Sequence, residues 1–150
     1  MTLAIRLAQT PEDHALVDAL WRQSLEERAS PAQLRAITFP RGRDYPTAQF
    51  FLAIDAAGDC VAMAGAVLPG PQARFGFEAR LQLPHPALPN ADRTRMGEGL
   101  TLFVTPPHRR GGLARALTFL SMLMPWDAGA TTLVAENGAV SLAMARAAGP

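Results

Sequence analysis

The stretch that decides the fold runs from Gly97 to Leu117 and reads GEGLTLFVTPPHRRGGLARAL. Bulky and β-branched residues at Leu100–Val104 predict a short buried strand. Pro106 and Pro107 end that strand, because proline donates no ladder hydrogen bond and biases the preceding residue away from helix. A glycine pair then leads into good helix-forming sequence. The stretch therefore predicts a strand, a tight turn and a helix.

A strand followed by a glycine-rich turn and a helix N-terminus forms an anion site. The first N–H groups of a helix have no internal partner, and the helix dipole is positive at that end. Glycines let a phosphate approach the backbone, and arginines add charge and planar, bidentate donors. The predicted site consists of Arg109, Arg110, Gly111, Gly112, Leu113 and Ala114.

The pattern of this site is V-x-P-x-x-R-x-x-G-x-A, from Val104 to Ala114, and neither G-x-x-x-x-G-K-[ST] nor G-x-G-x-x-G is present. It resembles the acyl-CoA signature [QR]-x-x-G-x-[GA] of the GNAT superfamily of N-acetyltransferases. The resemblance implies acetyl-CoA as acyl donor, with its pyrophosphate on the N–H groups of the loop. It also implies that the pantetheine arm pairs with the strand at Leu102, Phe103 and Val104. The alternative is an ordinary strand-to-helix turn with solvated arginines.

Glu98 is the candidate catalytic base. It lies eleven residues before Arg109, at the start of the predicted strand. The GNAT resemblance implies a glutamate there that takes the proton of the attacking amine, directly or through water. A carboxylate that faces a cleft suits this work near neutral pH. The alternative is a solvated glutamate at a strand edge, flanked by Gly97 and Gly99.

The rest of the chain alternates predicted strands and helices. Thr10, Pro11 and two following acids predict the start of the first helix. The predicted strands are 2–8, 49–55, 60–68, 74–83, 100–104 and 130–135, and the predicted helices follow residues 10, 30, 112 and 138. Early hairpins and a late strand–helix–strand unit predict an α/β (α+β) fold, a mixed, mostly antiparallel sheet with helices on both faces. The GNAT resemblance implies the same fold over nearly the whole chain.

The last predicted helix departs from the GNAT pattern, N-x-x-A-x-x-x-Y-x-x-x-G-F. Asn137 fits the asparagine and is expected to contact the cofactor, but the tyrosine falls on Met144 or Ala145. Tyr45 is the only tyrosine and lies in a distant loop, so this helix offers no tyrosine as general acid. The two strands that should follow are absent before Pro150, so we expect a C-terminally incomplete domain. An open sheet edge would favour a homodimer.

Composition narrows the class of protein. With 150 residues, 49% of them hydrophobic, the chain fits a single domain, 1–150. A net charge of +1 gives no footprint for nucleic acid. The apolar run 116–124 is too short to span a membrane and no signal peptide is evident, so a cytoplasmic location is expected. Cys60 is the only cysteine, and no metal site is predicted.

These features predict an N-acetyltransferase that acts on a primary amine of a small molecule or peptide. One alternative is a non-catalytic acyl-CoA-binding or interaction protein on the same scaffold, since the tyrosine is missing. Another resemblance is to the acyl-homoserine-lactone synthases, through Asp44, Phe50 and the Leu68–Pro69 pair. That family's arginine before the Leu-Pro pair is Ala66 here, and its Ser-Arg pair after the glutamate is Leu100–Thr101.

Overall fold

A computed structural model describes residues 2–28, 45–76 and 92–135 of the chain. Its elements, in chain order, are β1 (Ala4–Leu7), α1 (Pro11–Arg28), β2 (Ala48–Ile54), β3 (Cys60–Val67), β4 (Met96–Val104), a 3-10 turn (Pro106–His108), α2 (Leu113–Asp127) and β5 (Thr132–Ala135). The predicted helix after residue 30, most of the predicted strand 74–83 and the last helix with Asn137 lie outside the described residues. No helix in the described ranges is long and apolar enough to cross a membrane.

The five strands form one sheet in the order β1-β2-β3-β4-β5. The first four pair antiparallel, and β5 pairs parallel with β4 after the chain crosses over through α2. Helix α1 covers one face of the sheet, where Leu52, Met63 and Phe103 form the core. Helix α2 covers the other face, against Ala64 and Val104. The predicted mixed, mostly antiparallel sheet with helices on both faces is therefore confirmed.

The predicted start of α1 is also confirmed, and its cap is reciprocal. The Thr10 hydroxyl accepts the N–H of Asp13 at 3.2 Å, and the Asp13 carboxylate accepts the N–H of Thr10 at 3.1 Å. The same carboxylate accepts the N–H of Gln9 at 2.9 Å and pairs with Arg6 of β1. Asp13 thus ties the first strand to the first helix, in addition to capping it.

We expect Asp13→Asn to destabilise the fold in a pH-dependent way. The Arg6 guanidinium, followed by the N–H groups of Gln9 and Thr10, holds the pKa of the Asp13 carboxyl well below its ordinary value of 3.8. The ionised form stabilises the folded state, so its contribution is present above the ordinary pKa and is lost as the pH falls below it. The melting temperatures of the wild type and variant should therefore differ at pH 7 and converge in acid. Glu12→Gln, in the same helical turn, is the control, and a constant difference at all pH values would contradict the assignment.

The predicted start of the central strand was wrong, and the difference involves the packing of α2 on β4. The strand starts at Met96 instead of Leu100. The glycine at position 97 fits in the strand because α2 packs closely against it: an added Cβ there would lie 2.3 Å from the Cβ of Pro125. The helix does not stop before Pro125 but continues to Asp127. Proline removes only one donor in this last turn, which a Schellman motif closes at Gly129 (φ 95°).

Candidate functional site

The loop between β4 and α2 is held at its start by hydrogen bonds. The N–H of Thr105 donates to the carbonyl of Val61 at 2.9 Å, which keeps the end of β4 paired with β3. The hydroxyl of Thr105 lies 2.9 Å from Nδ1 of His108, across the 3-10 turn. The chain then enters α2 through Gly112, whose φ of +77° is in the left-handed region that glycine tolerates best. The second glycine of the pair is therefore required by the backbone itself.

The N-terminus of α2 is bare. Its cap residue, Gly112, has no side chain to offer, and the N–H of Ala116 closes the first turn on the Gly112 carbonyl at 3.1 Å. The N–H groups of the residues before Ala116 therefore precede the helical ladder. Among the described residues, a Cβ added at Gly112 would meet no atom within 4 Å, and one at Gly111 would meet only the His108 carbonyl, at 4.0 Å. The first turn of α2 carries no acid, so no negative side chain of that turn opposes an anion at the positive end of the helix.

The side chain of Arg109 does not extend over this helix end. Its Nε donates to the carbonyl of Val104 at 2.9 Å, and its terminal nitrogen pairs with the carboxylate of Glu27 near the end of α1. The guanidinium carbon lies 5.7 Å from the ring centroid of Phe103, on the sheet face that α1 covers. The sequence predicts this guanidinium as a phosphate donor, whereas in the structure it contacts β4 and α1. Arg110 is exposed beside the loop glycines.

The far edge of β4 is where the predicted pantetheine contacts lie. In an antiparallel pair, alternate residues direct their backbone N–H and C=O groups to the partner strand. The N–H of Thr105 bonds to β3, so the backbone groups of Leu102 and Val104 point away from β3, towards the side of β5. Phe103 has the opposite orientation: its backbone faces β3 and its side chain is buried under α1. Pairing with β5 covers Met96–Gly99 and, in the described part of the chain, ends there. Ala135, the partner of Gly99, is also the last residue of β5 that the structure describes. The divergence of strands that the GNAT resemblance implies for the pantetheine arm therefore stays a prediction.

Glu98 is the third residue of β4 and lies between Val67 of β3 and Val134 of β5. Its side chain is only 1% exposed, and its carboxylate accepts the N–H of Gly76. The alternative of a solvated strand-edge glutamate is therefore wrong. The neighbouring core includes Val67, the strand partner of Glu98, together with Tyr45, which is distant from Glu98 in sequence. Neither Gly76 nor Tyr45 carries a sequence signal that connects it with Glu98.

Other reactive groups in the described residues do not form a second site. They contain no group of three or more His, Cys, Asp or Glu side chains that could hold a metal ion. The thiol of Cys60 is half-buried and donates to the carbonyl of Ala62 at 3.7 Å. Burial raises the pKa of this thiol, which favours the unreactive protonated form.

The sequence matches no family model and no curated protein, but solved structures share the fold. A GCN5-related N-acetyltransferase from Ralstonia eutropha JMP134 aligns over 99% of this chain and 92% of that chain, with a TM-score of 0.69 and 20% identity. An acetyltransferase from Trypanosoma brucei aligns over the same shares, with a TM-score of 0.64 and 18% identity. AAC(6')-Iy, in complex with the bisubstrate analogue CoA-S-monomethyl-acetylneamine, aligns over 99% of this chain and 90% of that chain, with a TM-score of 0.64 and 15% identity. The chain therefore has the GNAT fold.

Proposed function

We propose that this chain, which has the GNAT fold, transfers an acetyl group from acetyl-CoA to a primary amine of a small molecule or peptide. The observation that carries the proposal is the N-terminus of α2, which has no side-chain cap and follows β4 through the exposed glycine pair 111–112. The CoA pyrophosphate would bind there to backbone N–H groups of Arg110, Gly111, Gly112, Leu113 and Ala114. Asn137 stays a proposed contact, outside the described residues.

The donor arm would lie along β4. The backbone polar groups of Leu102 and the N–H of Val104 point away from β3 and are the proposed partners of pantetheine, while the Val104 carbonyl already accepts Nε of Arg109. A strand rises about 3.3 Å per residue, so Glu98 lies roughly 20 Å along β4 from Val104. An extended arm bound at the loop would thus carry its thioester towards the part of the strand that contains Glu98.

The reaction would be direct attack of the amine on the thioester carbonyl. A C–N bond forms, the C–S bond breaks, and CoA leaves as the thiolate. The proton of the attacking amine would go to the Glu98 carboxylate, directly or through a water molecule. The N–H of Gly76 fixes one carboxylate oxygen, which orients this base.

The acceptor class is proposed from two observations. The Glu98 carboxylate, when ionised, would attract a cationic amine. AAC(6')-Iy, which shares the fold, was solved with an acetylated neamine analogue of CoA. Homodimerisation, which sedimentation velocity at several concentrations would test, and a cytoplasmic location stay predictions.

A non-catalytic acyl-CoA-binding protein is the second candidate function. The observation in its favour is the burial of Glu98, whose carboxylate already has a partner in the N–H of Gly76. In that case the glutamate would serve the fold, and the loop would bind acyl-CoA without turnover. The two candidates agree on the CoA site and differ on the role of Glu98.

Titration calorimetry with acetyl-CoA tests the site that both candidates share. Gly111 is exposed and its φ is outside the left-handed region, so a side chain there should not disturb the fold. We expect the dissociation constant of Gly111→Asp to exceed that of Gly111→Asn by about tenfold or more, because only the aspartate repels the pyrophosphate. Both variants should have the melting temperature of the wild type. Equal affinities of the two variants would exclude an anion site here, and a wild type without saturable binding would overturn the proposed function.

A further inference from the structure

Glu27 and Arg109 connect two elements that lie on different parts of the fold. Glu27 belongs to the last turn of α1, and Arg109 follows the 3-10 turn after β4. Their ion pair joins residues 82 positions apart in the sequence, with 33% and 46% of the two side chains exposed. The loop between β4 and α2 is fixed at its ends by these two elements, and the ion pair contacts the middle of the loop.

We infer that Glu27 is a positioning residue for the acyl-CoA site. It acts through Arg109, whose guanidinium it orients against β4. The inference rests on the proposed function, because it concerns the loop that is proposed to hold the CoA pyrophosphate. It adds that the arginine of the motif serves the site as a strut for the loop, while the phosphate is bound by backbone N–H groups.

The geometry of the guanidinium supports this role. Nε and a terminal nitrogen belong to one rigid plane, and here they donate in two directions, to the carbonyl of Val104 and to the carboxylate of Glu27. The ring of Phe103 lies under the same group, with 5.7 Å from the guanidinium carbon to the ring centroid. Three contacts from strand and helix thus fix one side chain, and with it the backbone between His108 and Arg110.

The charges support the same conclusion. Glu27 supplies a negative charge next to the guanidinium, so the pair adds little net attraction for a phosphate. In contrast, Arg110 and the bare end of α2 retain their positive potential. If Arg109 were a phosphate ligand, Glu27 would compete with the phosphate for it, and removing Glu27 would tighten binding. If Arg109 is a strut, removing Glu27 weakens binding.

A double-mutant cycle separates these roles. Glu27→Gln keeps the shape of the side chain and removes its charge. In Arg109→Gln, the amide nitrogen of glutamine is as many bonds from Cα as Nε of arginine. The glutamine can therefore still donate to the Val104 carbonyl, but it is too short to reach Glu27. We expect each variant to raise the dissociation constant of acetyl-CoA about two- to fivefold at low ionic strength, as for a partly exposed ion pair. The double variant should bind no more weakly than either single one, because both changes remove the same interaction.

A positioning role also predicts how the kinetics divide. The KM for acetyl-CoA should rise with the dissociation constant, while kcat at saturating acetyl-CoA and the melting temperature stay at the wild-type values. Glu26→Gln, an exposed neighbour on α1, is the matched control and should bind acetyl-CoA like the wild type. Additive effects, or unchanged or tighter binding by Glu27→Gln, would overturn the inference alone. Failure of the wild type to bind acetyl-CoA would overturn the proposed function, and the positioning role with it.

Discussion

Glu98→Gln is expected to lower kcat/KM for amine acetylation by about 10²- to 10⁴-fold, the range that general-base catalysis usually supplies. Glutamine is nearly isosteric and can still accept the N–H of Gly76, so the fold should persist. It cannot take the proton of the attacking amine. The measurement is release of the CoA thiol as a function of pH, with an acceptor found by screening primary amines against the wild type.

The same experiment decides between the two candidate functions. The residual rate of the variant should increase with pH, because only the free-base fraction of the amine can attack without a base. Unchanged acetyl-CoA affinity and melting temperature are the controls for an intact fold and donor site. Normal turnover of Glu98→Gln at every pH would remove Glu98 as the base. A wild type that binds acetyl-CoA but acetylates no amine would favour the non-catalytic candidate.

Gly97→Ala should reduce the free energy of unfolding by about 1–3 kcal/mol, the usual cost of overpacking a core. A Cβ at this position would lie 2.3 Å from the Cβ of Pro125 and 3.2 Å from Leu133, so α2 or β5 would have to move. Gly99→Ala is the matched control on the same face of the same strand, because among the described residues its Cβ would meet only Ala135, at 3.9 Å. Urea denaturation of both variants makes the comparison. Equal destabilisation would show that the loss comes from the strand backbone and not from the contact with α2.

Where the signal is local, the sequence predicts the fold well. The cap at Thr10 and the strand, turn and helix from Leu100 onwards depend on residues within a few positions of one another, and the structure contains all of them. The errors arise where distant packing overrides local preference. Gly97 is a poor strand former by itself, and only its contact with Pro125 explains its place in β4.

The candidate site shows the same limit. The loop glycines and the helix N-terminus are contiguous in sequence, so the turn that joins β4 to α2 could be predicted from spacing alone. The partners of its two most informative side chains could not. Gly76 precedes Glu98 by 22 positions and Glu27 precedes Arg109 by 82, and no periodicity or motif relates residues so far apart. A contact of this kind is a property of the folded chain.

The hydrogen bond from Nε of Arg109 to the carbonyl of Val104 has a consequence for how the loop signature is read. Its first position alternates between glutamine and arginine, which differ in charge but carry an N–H at the same reach. The property that the two residues share at this position is thus an N–H that can reach the carbonyl of the last residue of the strand. Related chains with arginine at this position should therefore carry an acid at the end of α1 more often than chains with glutamine, which has no charge to pair. Covariation between the two positions would then record the ion pair in the sequences themselves.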